Sequence, residues 1–364
     1  MNRLVIKIGT SVLLDENKRI STNKIRDIAR QVKKIKDTGV NVIIVSSGAV
    51  GCGMELVGIN RKPKEIAKKQ ALASIGQVLL MKMYRENFEK KGMKVSQILL
   101  THEDIKNRVR CLNLTNTLDT LLKMNIVPVI NENDALSFTE IKFGDNDNLS
   151  AMIAQIADAD LLLILSDVEG LFDRDPNRYP DARMIPVVHR ITEEIEGTAA
   201  QSVSEKSVGG MISKLEAAKK AGMYGIPTRV VLGGSKDIIL KVVSGRQIGT
   251  LFLPGQKLTR RKWWTAFAFK PKGIVWVDDG AERAIVKNGK SLLPSGIVKI
   301  EGHFTSGDCI EMKNGSGTVI AKGLANYSSS EMDKIKGLKS LDIEKRLGYK
   351  YTEEVIHRDN MVVI

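Results

Sequence analysis

The chain has 364 residues, of which 43% are hydrophobic and 27% charged, proportions that fit a globular protein and exclude a mainly disordered or collagen-like one. Lysine and arginine number 56 against 42 aspartate and glutamate residues, so the formal net charge is +14 at pH 7. Such an excess favours anionic partners, but it does not distinguish a nucleic acid from a nucleotide.

The apolar segments and the cysteines limit the compartment in which we expect the protein. The longest apolar stretch, 159–165, is far shorter than the roughly 18 residues of a membrane helix. The first residues show no secretory signal pattern. Cys52, Cys111 and Cys309 lie far apart without a Cys-x-x-Cys motif, which argues against a disulfide framework and a zinc site. We therefore expect free thiols, a cytoplasmic location and no membrane partner.

Residues 1–255 alternate short apolar runs with segments of helical periodicity. Apolar residues at helical spacing predict helices within 25–38 and 64–91. Runs rich in Val, Ile and Leu predict the strands Leu4–Ile8, Val42–Val45, Val95–Leu100, Val127–Ile130, Leu161–Leu165 and Ile226–Leu232. This alternation predicts an α/β domain whose mainly parallel sheet has helices on both faces. Ligands of such sheets bind at the carboxyl ends of the strands, so the chemistry is expected in the loops there.

The pattern changes after residue 255. Residues 256–272 are rich in basic side chains, include Trp263 and Trp264, and predict a linker or connecting helix. From 273 to 352, short apolar runs separated by turn residues predict a small β-barrel-like domain. Residues 353–364 remain as a C-terminal tail.

Two loops near the start of the chain have the composition of anion-binding loops. Lys7-Ile-Gly-Thr-Ser follows the first predicted strand, where Gly9 lets the backbone approach an anion and Lys7 offers a charge to a phosphate. The segment 46–53 follows the second strand and contains three glycines. It fits either a small-ligand loop or a turn needed only for packing, since it does not match Gly-x-Gly-x-x-Gly.

Two further loops are rich in Asp and Asn. Residues 131–134, Asn-Glu-Asn-Asp, follow a strand and suit either the capping of turns or the binding of an ammonium or hydroxyl group. Residues 144–150 lack the glycine and glutamate of a calcium loop. Asp147 or Ser150 is instead predicted to cap a helix that begins near Leu149, and its N-terminus would attract an anion.

Of the last two loops, one follows the fifth predicted strand and the other precedes a predicted helix. Residues 166–176 form a long polar loop, which is either solvated or part of a ligand site. Residues 209–214, Gly-Gly-Met-Ile-Ser-Lys, precede a helix predicted over 215–221. Glycines at a helix N-terminus make an anion site. Lys214 opposes the helix dipole there, which indicates a partner anion rather than a stabilising role.

In this order, the six loops resemble those of the amino-acid kinase superfamily over residues 1–253, and most closely its glutamate-phosphorylating branch. The resemblance rests on Lys-Ile-Gly-Thr-Ser-Val, Val-Ser-Ser-Gly-Ala-Val, Ile-Asn-Glu-Asn-Asp, Phe-Gly-Asp-Asn-Asp-Asn-Leu-Ser-Ala, Leu-Ser-Asp-Val-Glu-Gly-Leu-Phe and Gly-Gly-Met-Ile-Ser-Lys. The stretch from 273 to 350 resembles a PUA domain, a small β-barrel of RNA-modifying enzymes, through 291–298, 301–308 and 323–329.

The resemblance implies a three-layer αβα sandwich followed by a PUA domain. It implies phosphoryl transfer from MgATP to the γ-carboxylate of L-glutamate, the first step of proline biosynthesis. A carboxylate is ionised at pH 7 and needs no general base, so catalysis would consist of positioning and charge neutralisation. The alternatives are a related kinase acting on acetylglutamate or aspartate, and an RNA-binding protein, which the PUA resemblance and the basic composition favour.

The resemblance also assigns residue roles. Lys7 and Lys214 would stabilise the transferring phosphoryl group from two sides, with Asp147 between them. The residues implied to bind glutamate are Ser47, Asn131, Asp134 and Asn146. Those implied to bind ATP are Lys7, Gly9, Ser166, Asp167, Val208, Gly209, Gly210, Met211, Ile212, Ser213 and Lys214. Magnesium would be held mainly by the ATP phosphates, with Asp145 as a candidate for magnesium or substrate positioning, and Val208 stands where the family commonly has threonine.

Several partners are implied by the resemblance. These are proline as a feedback inhibitor, RNA at the PUA domain, a γ-glutamyl phosphate reductase that receives the product, and further copies of the chain in a dimer or tetramer. No spacing in this sequence indicates any of them.

Overall fold

The computed structural model describes residues 1–17, 19–61, 63–136, 146–176, 178–201, 210–254 and 271–364. The chain forms two compact units, a first unit of Met1–Ile105 with Val109–Lys257 and a second unit of Lys106–Arg108 with Leu258–Ile364. Within the described residues, no helix has the length and apolar character needed to cross a membrane. Cys52, Cys111 and Cys309 are buried thiols.

The first unit is built on a sheet of eight strands. They are β1 (Arg3–Ile8), β2 (Asn41–Val45), β3 (Val95–Leu100), β4 (Val127–Glu132), β5 (Leu161–Ser166), β6 (Val187–Val188), β7 (Thr228–Leu232) and β8 (Thr250–Phe252). Their order is β3-β4-β2-β1-β5-β7-β8-β6. Neighbouring strands are parallel except for β7 and β8, which are antiparallel. The predicted α/β architecture with a mainly parallel sheet is therefore confirmed.

Helices cover both faces of this sheet. They are α1 (Thr10–Leu13), α2 (Thr22–Lys36), α3 (Ala49–Leu56), α4 (Ile66–Glu89), α5 (His102–Lys106), α6 (Arg108–Lys123), α7 (Asn146–Ile156), α8 (Glu193–Gln201), α9 (Met211–Gly222) and α10 (Ile238–Val243). The apolar faces of α2 and α4 pack with Leu4, Ile6 and Ile8 of β1 in one core. Side chains alternate along a strand, so Lys7 points to the other face, where α7 contacts β1.

The register of the parallel strands brings four loops to one edge of the sheet. Lys7 of β1 lies opposite Val45 of β2 and Ile164 of β5, and Val45 lies opposite Ile130 of β4. These four strands therefore end at nearly the same level. The residues that follow or complete them, and so share that edge, are Gly9, Ser46, Asn131 and Ser166.

Glycines allow α3 and α4 to approach until their backbones touch. A Cβ atom on Gly53 would lie 1.9 Å from the carbonyl oxygen of Leu72, and one on Gly76 would lie 1.9 Å from that of Ala49. Real Cβ atoms do not approach backbone this closely, so this contact requires glycine on both helices. At Gly53 the structure therefore selects the packing interpretation of the loop at 46–53.

The second unit contains a five-stranded sheet. Its strands are β9 (Gly273–Val277), β10 (Ile297–Gly302), β11 (Cys309–Lys313), β12 (Val319–Leu324) and β13 (Met361–Val363), in the order β10-β9-β11-β12-β13. Its helices are α11 (Asp279–Val286), α12 (Ser329–Ile335) and α13 (Ile343–Leu347). Strand β13 pairs with β12, so the segment 353–364, predicted as a tail, supplies an edge strand. Most of the predicted linker 256–272, with Trp263 and Trp264, lies outside the described residues.

We expect Gly53→Ala to lower the free energy of unfolding by about 1 to 3 kcal/mol, because the added methyl group must push two helix backbones apart. The matched control is Gly51→Ala on the same helix, where a Cβ would meet only the tip of Ile20 at 4.0 Å. Alanine is more favourable than glycine in a helix interior. Gly51→Ala should therefore leave the free energy of unfolding unchanged or raise it by up to about 1 kcal/mol. Urea unfolding followed by circular dichroism measures both, and equal stability of the two variants would contradict the packing argument.

Candidate active site

Two lysines and one aspartate from three separate elements meet at the edge described above. The Nζ of Lys7, at the end of β1, lies 2.5 Å from Oδ1 of Asp147. The Nζ of Lys214, in the first turns of α9, lies 3.3 Å from Oδ2 of the same carboxylate. All three are buried, with 7%, 7% and 2% of their surfaces exposed. One carboxylate thus joins two ammonium groups that are 207 residues apart in the sequence.

The charges of the lysines keep this carboxylate ionised. Burial alone would raise the pKa of Asp147, but the positive charges of Lys7 and Lys214 and the hydrogen bonds from Lys7 and Ser213 outweigh it and lower the pKa to about 2. Ser213 Oγ donates to Oδ2 of Asp147 at 2.7 Å and lies 3.1 Å from the carbonyl oxygen of Gly210. The three charged groups carry a net charge of +1 in a site poor in water, which suits an anion.

Asn146 lies beside this trio and connects it to the loops after β2 and β4. Its Nδ2 donates to the carbonyl oxygen of Ser46 at 2.8 Å, to Oγ of Ser47 at 3.0 Å and to Oδ1 of Asn131 at 3.0 Å. Its own Oδ1 is buried and accepts no hydrogen bond from the described residues. A buried acceptor without a partner is costly, so this oxygen is suited to a donor on a bound molecule.

The predicted loop 131–134 begins within β4, whose last residues, Asn131 and Glu132, are held from behind by α4. Asn131 donates through Nδ2 to Oε1 of Gln77 at 2.9 Å, and its Oδ1 also accepts from the backbone N–H of Glu132 at 2.9 Å. Asp134 lies further along the loop and is partly exposed. Gln77 is not among the site residues predicted from the sequence. Its signal is a polar residue at helical spacing between Ala73 and Leu80, on the buried face of α4.

Gly9 lies close to the backbone of β5. A Cβ at this position would lie 3.2 Å from the carbonyl oxygen of Leu165, which is a tight contact, and 3.9 Å from Nζ of Lys7, which is an ordinary one. The N–H of Gly9 donates to the same carbonyl of Leu165 at 3.1 Å, and the N–H of Val12 in α1 donates to the carbonyl oxygen of Gly9 at 3.1 Å.

The end of β5 and the start of α9 carry the other residues assigned to nucleotide. Ser166 is buried and donates to Oδ1 of the exposed Asp167 at 3.0 Å. Gly210 is the N-cap of α9, Met211 is buried and Ile212 is 41% exposed. The helix begins four residues earlier than predicted, which places Lys214 inside it rather than before it. Asp145, Val208 and Gly209 lie outside the described residues.

The predicted capping of α7 is not what the structure contains. The helix begins at Asn146, three residues before the predicted start, so Asp147 lies within its first turn and directs its carboxylate to the lysines. Ser150 donates through Oγ to the carbonyl oxygen of Asp147 at 2.6 Å. The spacing of Asp, Asn and Ser is typical of a helix cap. In this structure, however, the attraction of two buried lysines orients the carboxylate of Asp147.

Carboxylates that could bind a metal are scarce in the described part of the chain. Within it, no group of three or more His, Cys, Asp or Glu side chains has the arrangement of a metal site. Asp147 is engaged by lysines, while Asp167 is an exposed carboxylate at the same edge. The described residues therefore do not form a protein cage for a metal ion.

The chain is similar to known proteins over its whole length. Models of protein families match residues 2–232 to the amino acid kinase family and residues 273–347 to the PUA domain. The chain is 49% identical to the glutamate 5-kinase of Geobacter sulfurreducens, over 100% of this chain and 98% of that protein. It is 46% identical to the glutamate 5-kinase of Caldanaerobacter subterraneus subsp. tengcongensis, over the same shares. A carbamate kinase from Giardia lamblia bound to AMP-PNP is similar in fold, with a TM-score of 0.51 at 13% identity over 70% of this chain and 99% of that one.

We expect Asp147→Asn to lower the free energy of unfolding at pH 7 by about 3 to 5 kcal/mol, because it leaves two buried ammonium groups without their counter-ion. The pKa of Asp147 is lower in the folded than in the unfolded chain, so its contribution is complete above about pH 4 and is lost as the pH falls towards 2. The difference between wild type and variant should therefore narrow at pH 3.

Urea unfolding at pH 7 and at pH 3 measures this difference. The control is Asp37→Asn, which removes an exposed carboxylate paired with Lys33 on the surface of α2 and should cost less than about 1 kcal/mol. A difference between wild type and Asp147→Asn that is unchanged between the two pH values would show that the carboxylate is not stabilised as an anion.

Proposed function

The chain belongs to the amino acid kinase family, and we propose that it transfers the γ-phosphoryl group of ATP to the γ-carboxylate of L-glutamate. The product is γ-glutamyl 5-phosphate, which is the first intermediate of proline biosynthesis. The observation that carries the proposal is the convergence of Lys7 and Lys214 on Asp147 at the carboxyl edge of the sheet. Identities of 46% and 49% to glutamate 5-kinases over the whole chain support the choice of substrate.

The reaction needs charge neutralisation rather than proton transfer. The acceptor carboxylate is already an anion at pH 7, and the phosphates of ATP repel it. Lys7 and Lys214 offset that repulsion from two sides, and the charge that develops on the transferring group interacts with them strongly because the site excludes water. Asp147 holds the two ammonium groups together, since without it they would repel each other. Magnesium bound to the phosphates supplies further charge neutralisation.

The two sides of this trio divide the substrates between them. On the acceptor side, Ser47, Asn131 and Asn146 form the hydrogen-bonded group described above, with Asp134 in the same loop. The buried Oδ1 of Asn146 and the carboxylate of Asp134 are suited to the α-ammonium group of glutamate. On the nucleotide side we place the turn at Gly9 with Lys7, Ser166, Asp167 and the segment 208–214, and we propose Asp145 for magnesium or substrate positioning.

The acceptor side favours a free amino acid over the alternatives. Acetylglutamate carries an amide in place of the ammonium group. It therefore has no charged donor for Oδ1 of Asn146 and the carboxylate of Asp134. Aspartate retains the ammonium group but is one methylene shorter, which would hold its carboxylate away from the lysines. An assay of ADP release with L-glutamate, N-acetyl-L-glutamate and L-aspartate tests the proposal. Turnover dependent on L-glutamate supports it, and turnover with another acceptor only, or with none, would refute it.

In this assay we expect Lys214→Ala to lower kcat by about 10²- to 10³-fold with little change in the KM for glutamate, because the lysine stabilises charge that develops only during transfer. Lys219→Ala is the matched control. It removes a lysine from the exposed side of the same helix, where it pairs with Glu196 at 2.7 Å, and its kcat should equal that of the wild type. If Lys214→Ala also retained the wild-type kcat, Lys214 would have no part in the reaction.

A second activity is suggested by a cleft in the second unit, and we propose that it contacts RNA. The cleft has a volume of about 760 Å³ and is lined by the start of α11, the segment 290–296 and the segment before β13. Lys290, His357 and Arg358 contribute basic or titratable groups, while Asp278 and Glu354 contribute acidic ones. Basic groups that line an open cleft are suited to phosphates of a polynucleotide.

Fluorescence anisotropy with a labelled single-stranded RNA tests this second proposal on the full chain. Binding should weaken steeply with salt, and Lys290→Ala with Arg358→Ala should reduce the slope of log K against log salt by about two. The control is Lys345→Ala, which removes an exposed lysine of α13 that does not line the cleft. Absence of binding at low salt, or a slope unaffected by the double substitution, would refute an RNA site in this cleft.

The remaining partners follow from the family alone. We propose a cytoplasmic enzyme that is inhibited by proline, assembles as a dimer or tetramer, and passes its reactive acyl phosphate to a reductase. These proposals rest on the resemblance of the sequence motifs and on no contact described above.

A further inference from the structure

Helix α7 begins with three consecutive buried polar residues that have three different sets of partners. Asn146 contacts the loops after β2 and β4, and Asp147 contacts the two lysines. Asn148, with 5% of its surface exposed, has hydrogen-bond partners on α9. Successive residues of a helix are rotated by about 100°, so three neighbours can serve three directions at once. The role of the third is not explained by the binding of glutamate or ATP.

Asn148 connects α7 to two charged residues of α9. Its Nδ2 donates to Oε2 of Glu216 at 3.2 Å, and its Oδ1 accepts a hydrogen bond from Nζ of Lys220. Glu216 and Lys220 are four residues apart and therefore lie on one face of the helix. The single amide thus uses its donor end for a carboxylate and its acceptor end for an ammonium group, an arrangement that fits only one orientation of the side chain.

This connection restricts the position of α9 along its own axis. Lys214 lies on the same helix, two residues before Glu216, and its Nζ is 3.3 Å from Asp147. A displacement of α9 by one residue corresponds to about 1.5 Å along the axis, which would take that amine out of hydrogen-bond distance of the carboxylate. Lys7 would not be affected in the same way, because β1 is held between β2 and β5.

We propose that Asn148 is a positioning residue that sets the register between α7 and α9 and so places the Lys214 amine against Asp147 and the transferring phosphoryl group. The inference rests on the proposed phosphoryl transfer. In this proposal Asn148, Glu216 and Lys220 contact neither substrate. Its consequence is a loss in kcat when the connection is broken, with the affinity for glutamate preserved, because Asn146 and Asn131 keep their own hydrogen bonds.

The test compares variants of the full chain in the ADP-release assay. Asn148→Ala removes the connection, and Asn148→Asp opposes the carboxylate of Glu216 with another carboxylate. Both should lower kcat by about 10- to 100-fold, since displacement of a reacting group by about 1 Å has effects of this size. The KM for L-glutamate should remain within about twofold of the wild type, as expected for a residue that does not bind substrate.

The double variant Asn148→Asp with Glu216→Gln provides the rescue. In it the donor and acceptor exchange helices, because the amide of residue 216 can donate to the new carboxylate while Lys220 still donates to it. The kcat should return most of the way to that of the wild type. The matched control is Lys219→Met, which changes the exposed side of α9 only and should leave kcat unchanged.

Either of two results would overturn the proposal. One is a kcat of Asn148→Ala close to that of the wild type, and the other is a loss in Asn148→Asp that Glu216→Gln does not restore. Should Asn148→Ala fail to fold, the comparison of Asn148→Asp with the double variant Asn148→Asp and Glu216→Gln decides between the outcomes.

A crystal structure of the Asn148→Asp variant separates this inference from the proposed reaction. We expect the distance between Lys214 Nζ and Asp147 Oδ2 to exceed 4 Å, and an unchanged distance would refute the positioning role. This measurement applies whether or not the wild type phosphorylates L-glutamate, which the wild-type assay decides by itself.

Discussion

The first unit depends on the contact of one buried carboxylate with two buried ammonium groups. Taking any of these charges out of water is costly, and each is tolerated only because the others are present. Asp147 therefore stabilises the fold and, at the same time, holds two positive charges next to each other. In the proposed reaction, an anion between Lys7 and Lys214 would meet charges that are already in place, so phosphoryl transfer would need little reorganisation.

The parallel sheet makes this contact possible for residues that are far apart in the chain. Strands β1, β2, β4 and β5 end at one level, so the loops after them share an edge. Helix α7 is buried along nearly its whole length and presents its first turn to that edge. A residue on this helix has little freedom to move, which explains why Asn146, Asp147 and Asn148 can each be held against a different neighbour.

The site has a charged part and a neutral part. The charged part consists of the two lysines and Asp147. In the neutral part, amides and a hydroxyl are linked from Gln77 through Asn131 to Asn146 and Ser47. In the proposed reaction, the neutral groups would orient a zwitterionic amino acid without attracting phosphate, which would direct the two substrates to different sides of the trio.

The sequence by itself determined the α/β class, the strands β1 to β5 and β7 and the loops at their ends, because apolar periodicity and glycine placement are local signals, whereas the short strands β6 and β8 were not predicted. Only the tertiary structure decided what the polar side chains do. Asp147 has the spacing of a helix cap but serves the lysines, Gly9 gives its N–H to Leu165, and Gln77 and Asn148 acquire partners 54 and 68 residues away. Such pairings depend on strand register and helix packing. A local sequence pattern does not indicate which residues far apart in the chain come into contact.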